Sequence, residues 1–236
     1  MSRQTLVRLM MFTSLILAPL FVKAETLRVV SSEFPPYSFT DDHRLSQGIA
    51  VDLVKQLLDE LNLQVPIEIY PWARAYEISQ RKANTLIFLI ARSPEREAHF
   101  KWVGPLIDFN VRLFRLKFRS NIAPAQLSDL KQYKVGSLIQ DIKGQYLRKQ
   151  GIPTIEYASE QTGILMLVRG YIDLMPAEIN SFRYRVNQLG FDMADFEVAL
   201  PLHEISRPLY LAFQKDTPDE LVVRFRDALT ELTATH

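Results

Sequence analysis

The chain is 236 residues long, and its content of 47% hydrophobic and 23% charged residues is typical of a globular protein with a packed core. With 28 basic and 27 acidic residues the formal net charge is +1, which gives no reason to expect nucleic acid or an anionic membrane as a partner. Cysteine is absent, which excludes disulfide bonds and a lipid-modified cysteine.

The first two dozen residues have the pattern of a secretory leader. Arg3 and Arg8 precede an apolar segment, and Val22 and Ala24 have the small-x-small spacing that signal peptidase recognises. The apolar segment is short for a membrane span, so we predict a signal peptide over residues 1–24, with an uncleaved anchor as the alternative. This leader holds three basic and no acidic residues, and without it 25 basic residues stand against 27 acidic ones, a formal −2.

The residues that follow alternate between strand-like and helix-like segments. Residues 47–63 place apolar side chains along one helical face, and residues 85–91 form a short apolar run typical of a strand buried on both faces. In chain order we predict a strand over 26–32, a helix over 47–63, a strand over 65–71, a helix over 73–82 and a strand over 85–91. This order indicates a parallel sheet with right-handed crossovers.

A second series of strands and helices begins after residue 113. We predict strands over 133–139, 153–158, 171–176 and 208–214, and helices over 143–150, 160–170, 177–190 and 216–232. No low-complexity linker separates the two series. Residues 110–118 and 204–210 are instead expected to be two extended crossings between lobes.

The sequence contains no recognisable catalytic or metal-binding motif. Its four histidines, at positions 43, 99, 203 and 236, lack the close pairing of a zinc site. There is no Gly-x-Ser-x-Gly elbow, no phosphate-binding P-loop and no Gly-x-Gly-x-x-Gly fingerprint. We therefore predict a protein that is not an enzyme and that holds no metal or cofactor.

Six segments, in the same order, are similar to bacterial periplasmic solute-binding proteins of the polar amino-acid type, which serve ABC transporters. The segments are SSEFPPYSF, GIAVDLVKQLLDELNL, ARSPEREAHFKWVGPL, YKVGSLIQDIKGQYL, RGYIDLMPAE and PLYLAFQKDTPDELVVRFRDAL. The resemblance implies an α/β fold of type II, in which two hinge strands join two lobes and ligand is held in the cleft between them. Lobe 1 would comprise residues 25–112 and 207–236, and lobe 2 residues 113–206.

The resemblance also implies roles for two charged residues. Arg96 matches the family arginine that grips the α-carboxylate of the ligand, a task suited to a planar fork that stays charged. The alternative is that Arg96 pairs with Glu95 or Glu97 on a solvated turn. Glu178 falls where the family has an aspartate for the ligand's ammonium, although an acidic residue also stabilises the first turn of a helix. The longer arm of glutamate weakens the prediction of an amino-acid ligand.

The same resemblance implies aromatic walls for the site. Phe34, Tyr37 and Trp72 match positions where the family encloses the ligand side chain, because large rings supply contact area at little entropic cost. Each of these rings could instead belong to the core. Ala91 stands in the segment that leads to the family arginine, at a position where threonine is common.

Other positions depart from the family pattern. Gln140 and Asp141 replace a Gly-Thr pair that offers backbone and hydroxyl groups to the carboxylate, and Asp141 could instead pair internally with Arg96. Arg74 and Arg92 add cations near the expected cleft. A dicarboxylate, a modified amino acid, a short peptide or another anion could therefore suit the site in place of an ordinary amino acid.

The implied function is binding of a small anionic or zwitterionic solute, an amino acid or related compound, by a monomer in the periplasm. Hinge closure would trap the ligand for delivery to an ABC permease. One alternative is a ligand-sensing partner of a membrane receptor. A second alternative is an enzyme similar to the periplasmic dehydratases of the same fold, with Glu178 or Asp141 as the acid.

Overall fold

The computed structural model describes residues 26–234 of the chain. The predicted signal peptide lies outside these residues, and no helix within them combines the length and hydropathy needed to cross a bilayer. The strands are β1 (Arg28–Ser32), β2 (Phe39–Thr40), β3 (Ser46–Gln47), β4 (Ile67–Tyr70), β5 (Thr85–Ala91), β6 (Phe100–Ile107), β7 (Val111–Leu116), β8 (Val135–Leu138), β9 (Thr154–Tyr157), β10 (Met175–Glu178), β11 (Phe196–Pro201) and β12 (Leu209–Gln214). The α-helices are α1 (Ile49–Glu60), α2 (Trp72–Ser79), α3 (Pro94–Glu97), α4 (Ile142–Lys149), α5 (Glu160–Val168), α6 (Ile179–Gln188) and α7 (Asp219–Ala234).

The first lobe is built on a five-stranded sheet with the strand order β4-β1-β5-β12-β6. Strand β1 runs parallel to β4 and to β5, which confirms the parallel strand-helix-strand order predicted for this half. Strand β12 runs antiparallel between β5 and β6, so the end of the chain returns to the first sheet. Helix α7 then packs on β6.

Helix α1 begins directly after Gly48, at a position where the backbone requires glycine. Gly48 has a φ of 123°, and a Cβ atom there would lie 2.5 Å from the carbonyl group of Tyr37. That carbonyl accepts hydrogen bonds from the backbone N–H groups of Ala50 and Val51. The close approach ties the start of α1 to the loop that carries Phe34.

Strand β5 contains the apolar run that leads to Arg96. Its first six residues are buried, because β1 and β12 flank the strand in the middle of the sheet. Leu89 has a φ of 63° near the end of the strand. The strand ends at Ala91, and Pro94 then occupies the start of α3, the single helical turn that bears Arg96.

The second lobe contains a sheet with the order β10-β7-β11 and a parallel pair, β8 and β9. A bridge joins Val135 of the pair to Leu174, the residue before β10. In its core the rings of Phe114 and Phe182 stack with centroids 3.9 Å apart. The strands and helices predicted for this half are present, although the strand expected over 171–176 lies at residues 175–178.

The two crossings between the lobes differ in position from the expectation. Most of residues 110–118 form β7, the central strand of the second sheet. Val111, Leu113 and Phe114 are fully buried in this strand. The first crossing is therefore the short connection between β6 and β7. The second connects β11 to β12, and it contains a turn of 3₁₀ helix at His203–Ile205 in place of a continuous extended strand.

Candidate functional site

A cleft lies between the two lobes, at the ends of β5 and β8. The space between its atoms amounts to about 440 Å³, part of which is open solvent. Five of the predicted site residues line it: Phe34, Trp72, Ala91, Arg96 and Asp141. The other five, Tyr37, Arg74, Arg92, Gln140 and Glu178, are not part of its lining.

Arg96 is a deeply buried cation of the cleft, with 1% of its surface exposed. Its Nη1 atom donates a hydrogen bond to the carbonyl of Ala91 at 2.8 Å. The Nε and Nη2 atoms are buried and have no hydrogen-bond partner among the described residues. Its guanidinium carbon lies 5.2 Å from the ring centroid of Trp72 and 5.0 Å from that of Tyr76. Within the described part of the chain, the edge formed by Nε and Nη2 therefore has no hydrogen bond of good geometry, although the Tyr76 side chain interacts with the guanidinium.

Burial lowers the pKa of Arg96, and the nearby Tyr76 and Asp141 only partly oppose this effect. The acidic residues of the same turn do not bond to Arg96. Glu95 pairs with Lys149 of the second lobe, which lowers the pKa of Glu95 to about 2. Glu97 pairs with Arg92 instead. The solvated ion pair considered for Arg96 is thus not formed.

The second lobe contributes a buried ion cluster, which we call the lysine triad: Asp141, Lys143 and Glu160. The Nζ atom of Lys143 lies 3.0 Å from Asp141 Oδ1 and 3.1 Å from Glu160 Oε1. Lys143 is 2% exposed, and its ammonium lies 5.7 Å from the ring centroid of Phe109. Burial opposes the charge on Lys143, but attraction to the two carboxylates outweighs it and raises the pKa.

Local structure places the lysine triad at two helix starts. Asp141 caps α4, because its Oδ1 atom accepts the backbone N–H of Lys143 at 2.8 Å. Glu160 is the first residue of α5, after the cap Ser159. Sequence reasoning missed Lys143 and Glu160. A signal was present, since a lysine in the first turn of a helix opposes the helix dipole and implies a carboxylate partner.

Glu178 lies outside the lining of the cleft and caps α6. Its Oε2 atom accepts the backbone N–H of Ser181 at 2.8 Å, which is the helix-stabilising placement considered above. Burial raises its pKa, while backbone hydrogen bonds and Lys143 oppose the shift. A role of Glu178 in holding a ligand ammonium stays a prediction.

The aromatic residues divide between the cleft wall and its support. Phe34 and Trp72 line the cleft, and the Trp72 Nε1 atom donates to the backbone carbonyl of Gln140 in the other lobe at 3.0 Å. Tyr37 packs behind Phe34 with ring centroids 5.2 Å apart. The Tyr37 hydroxyl accepts a hydrogen bond from Asn180 of the second lobe at 3.0 Å. Two of these contacts join the lobes in a closed arrangement.

The two additional arginines lie away from the cleft. Arg74 is half-exposed and pairs with Glu77 at 3.2 Å on α2. Arg92 pairs with Glu97 at 2.8 Å and lies 5.3 Å above the ring of Trp102. Within residues 26–234 no group of three or more acidic, histidine or cysteine side chains is arranged to hold a metal ion.

Comparison with known proteins gives one family and many similar folds. The family model of the bacterial extracellular solute-binding proteins, family 3, matches residues 27–236. No curated protein matches the chain. A histidine kinase sensor domain similar to periplasmic binding proteins has 19% identity and a TM-score of 0.78, over 89% of this chain and 91% of that one.

Two other similar structures are named as arginine-binding proteins. Holo ArgBP from T. maritima has 21% identity and a TM-score of 0.75, over 90% of this chain and 92% of that one. A periplasmic binding protein of Salmonella typhimurium described as highly specific for arginine has 17% identity and a TM-score of 0.73, over 89% and 94%. At these identities the likeness establishes the two-lobed fold.

Proposed function

This chain belongs to the bacterial extracellular solute-binding proteins of family 3, and we propose that it binds a small carboxylate-bearing solute, an amino acid or related compound, between its lobes. The observation that carries the proposal is the buried guanidinium of Arg96, which lines the cleft with two N–H groups unpartnered among residues 26–234. The arginine-binding proteins of similar fold support an amino-acid-like ligand. We further propose that the protein acts in the periplasm as a monomer, without catalysis, and delivers its ligand to a membrane transporter.

The chemistry of Arg96 specifies what it would bind. A buried cation with unpaired donors costs free energy, so an anion that pairs with those donors stabilises the site. The Nε and Nη2 atoms form the edge of a guanidinium that donates two parallel hydrogen bonds. A carboxylate matches that edge in charge and shape, and charge-assisted bonds of this kind are stronger than neutral ones.

A thermal-shift screen tests the proposed function. The purified protein is heated with amino acids, dicarboxylates and short peptides, and a true ligand should raise the melting temperature. A ligand at a hundredfold excess over its Kd adds about 2.7 kcal/mol of stability if it binds only the folded state. The Arg96→Ala variant should show no shift with the same compound. A shift of equal size in that variant would place binding elsewhere.

Closure of the lobes is the expected response to ligand. Side-chain contacts away from the two crossings join the lobes. They include Trp72 with Gln140, Tyr37 with Asn180 and Glu95 with Lys149. Hinge closure around a ligand is the established motion of periplasmic binding proteins. In the ligand-free protein these contacts should open for part of the time.

Small-angle X-ray scattering measures this closure. A compound that raises the melting temperature should also decrease the radius of gyration at saturation, because the lobes approach one another. Arg96→Ala with the same compound serves as the control and should keep the larger radius. An unchanged scattering profile at proven saturation would contradict closure by ligand.

A sensory role is the second candidate, and the match to a histidine kinase sensor domain favours it. Both roles use the same cleft and differ in the membrane partner. Genes for a permease and an ATPase beside the gene of this protein would support transport, whereas a membrane kinase or cyclase gene would support sensing.

A further inference from the structure

We propose that the ligand is a carboxylic acid without a free ammonium group, because Lys143 supplies that ammonium from within the protein. This inference rests on the proposed function and narrows its ligand class. The proposed ligand differs from an α-amino acid in one group, because it lacks the ammonium beside the carboxylate.

The first lobe offers two hydrogen-bond donors, which suit one oxyanion. Arg96 has already committed Nη1 to the Ala91 carbonyl, so its Nε and Nη2 atoms remain for the ligand. These two donors satisfy one carboxylate group. The rings of Trp72 and Tyr76 already lie against the guanidinium of Arg96, and Glu33, the carboxylate in this half of the lining, is exposed.

The groups that would surround a bound ammonium are already in place: two carboxylates and the face of an aromatic ring. Asp141 and Glu160 of the second lobe and Phe109 of the connection between β6 and β7 provide these groups, and the Nζ atom of Lys143 occupies the place between them. A ligand ammonium would have to displace that lysine or approach it against charge repulsion.

The lysine triad is present before any ligand arrives. Asp141, Lys143 and Glu160 all belong to the second lobe, between β8 and the start of α5. Opening the hinge therefore leaves their ion pairs intact. Glu33, a further carboxylate of the lining, is exposed at the rim and accepts a hydrogen bond from the backbone of Thr40.

The buried charges of the two lobes balance, because Arg96, Lys143 and Arg185 stand against Asp141, Glu160 and Glu178. The place of Lys143 between Asp141 and Glu160, and not the net charge, is what disfavours a ligand ammonium.

Matched pairs of compounds test the inference on the wild-type protein. Calorimetric titration compares L-alanine with propionate, L-aspartate with succinate and L-glutamate with glutarate, so that each pair differs in the ammonium alone. We expect at least one acid without the ammonium to bind about tenfold or more tightly than its amino acid. Equal or tighter binding of the amino acids would overturn the inference and leave the proposed function standing. Absence of binding by all six compounds would overturn the inference, and the thermal-shift screen would then decide the proposed function.

A variant of Lys143 tests whether this residue is what excludes a ligand ammonium. Lys143→Ala frees Asp141 and Glu160, so the preference should move toward the amino acid of the pair by about tenfold or more. Arg148→Ala removes one positive charge from the exposed side of the same helix and should leave the preference unchanged. A folded Lys143→Ala protein with the wild-type preference would overturn the inference. If this variant does not fold, the wild-type titrations decide alone.

Discussion

Arg96→Ala is expected to weaken ligand binding about 30-fold to 3,000-fold, since truncating one partner of a buried charge-assisted contact costs about 2–5 kcal/mol. The fold should survive. The side chain of Arg96 donates a hydrogen bond to the Ala91 carbonyl, and its Nε and Nη2 atoms are buried without hydrogen-bond partners among the described residues. Removing them relieves a desolvation cost, so the melting temperature of the empty protein should stay the same or rise. Calorimetric titration and thermal unfolding measure the two quantities.

Two further variants separate charge from geometry at this position. Arg96→Lys keeps the charge and loses the two-pronged edge, so its affinity should fall between those of the wild type and Arg96→Ala. Arg81→Ala removes an exposed arginine that pairs with Glu77 on the surface of the same lobe, and it should bind normally. Normal affinity in a folded Arg96→Ala protein would remove Arg96 from the site.

Lys143→Met is expected to cost about 3–5 kcal/mol of folding free energy, the range typical of breaking a buried ion pair from one side. Methionine fills a similar volume but leaves Asp141 and Glu160 buried together without their cation. Urea unfolding of the ligand-free protein measures the loss. The variant Arg148→Met on the exposed side of α4 is the matched control and should change stability by less than about 1 kcal/mol.

A second substitution checks the physical cause of that loss. If the unpaired carboxylates are responsible, adding Glu160→Gln to Lys143→Met should recover part of the stability, because one buried charge is then removed. Glu160→Gln alone should destabilise the protein less than Lys143→Met does. A double variant that is as unstable as the sum of the two single variants would show that cavity or packing effects dominate instead.

Much of the fold could be predicted because its local signals agree with the tertiary arrangement. The buried run of β5 and the amphipathic pattern of α1 identified those elements directly. Strand β6 escaped prediction because Gly104 and Pro105 interrupt its pattern. Proline is tolerated there because β6 lies at the edge of the sheet, beside β12. Residues 110–118 were correctly expected to be extended, but their place at the centre of a sheet depends on distant partners.

The parts of the candidate site that could be predicted are those where a single residue matches a family position. Arg96, Trp72 and Phe34 follow from position in a family pattern, and all three line the cleft. The pairing of Lys143 with Glu160 could not be read in this way. Their partnership exists because α4 and α5 start side by side, and that neighbourhood is decided by the packing of the second lobe.

The insertion of β12 between β5 and β6 has a consequence for the order of folding. All strands of the second lobe are contiguous in the chain, so that lobe can assemble as soon as its own residues are available. The first sheet is interrupted, since β5 and β6 obtain their shared neighbour only when the carboxyl-terminal segment emerges. A chain halted before β12 would expose two apolar strand edges, and such intermediates are the ones that aggregate or need a chaperone.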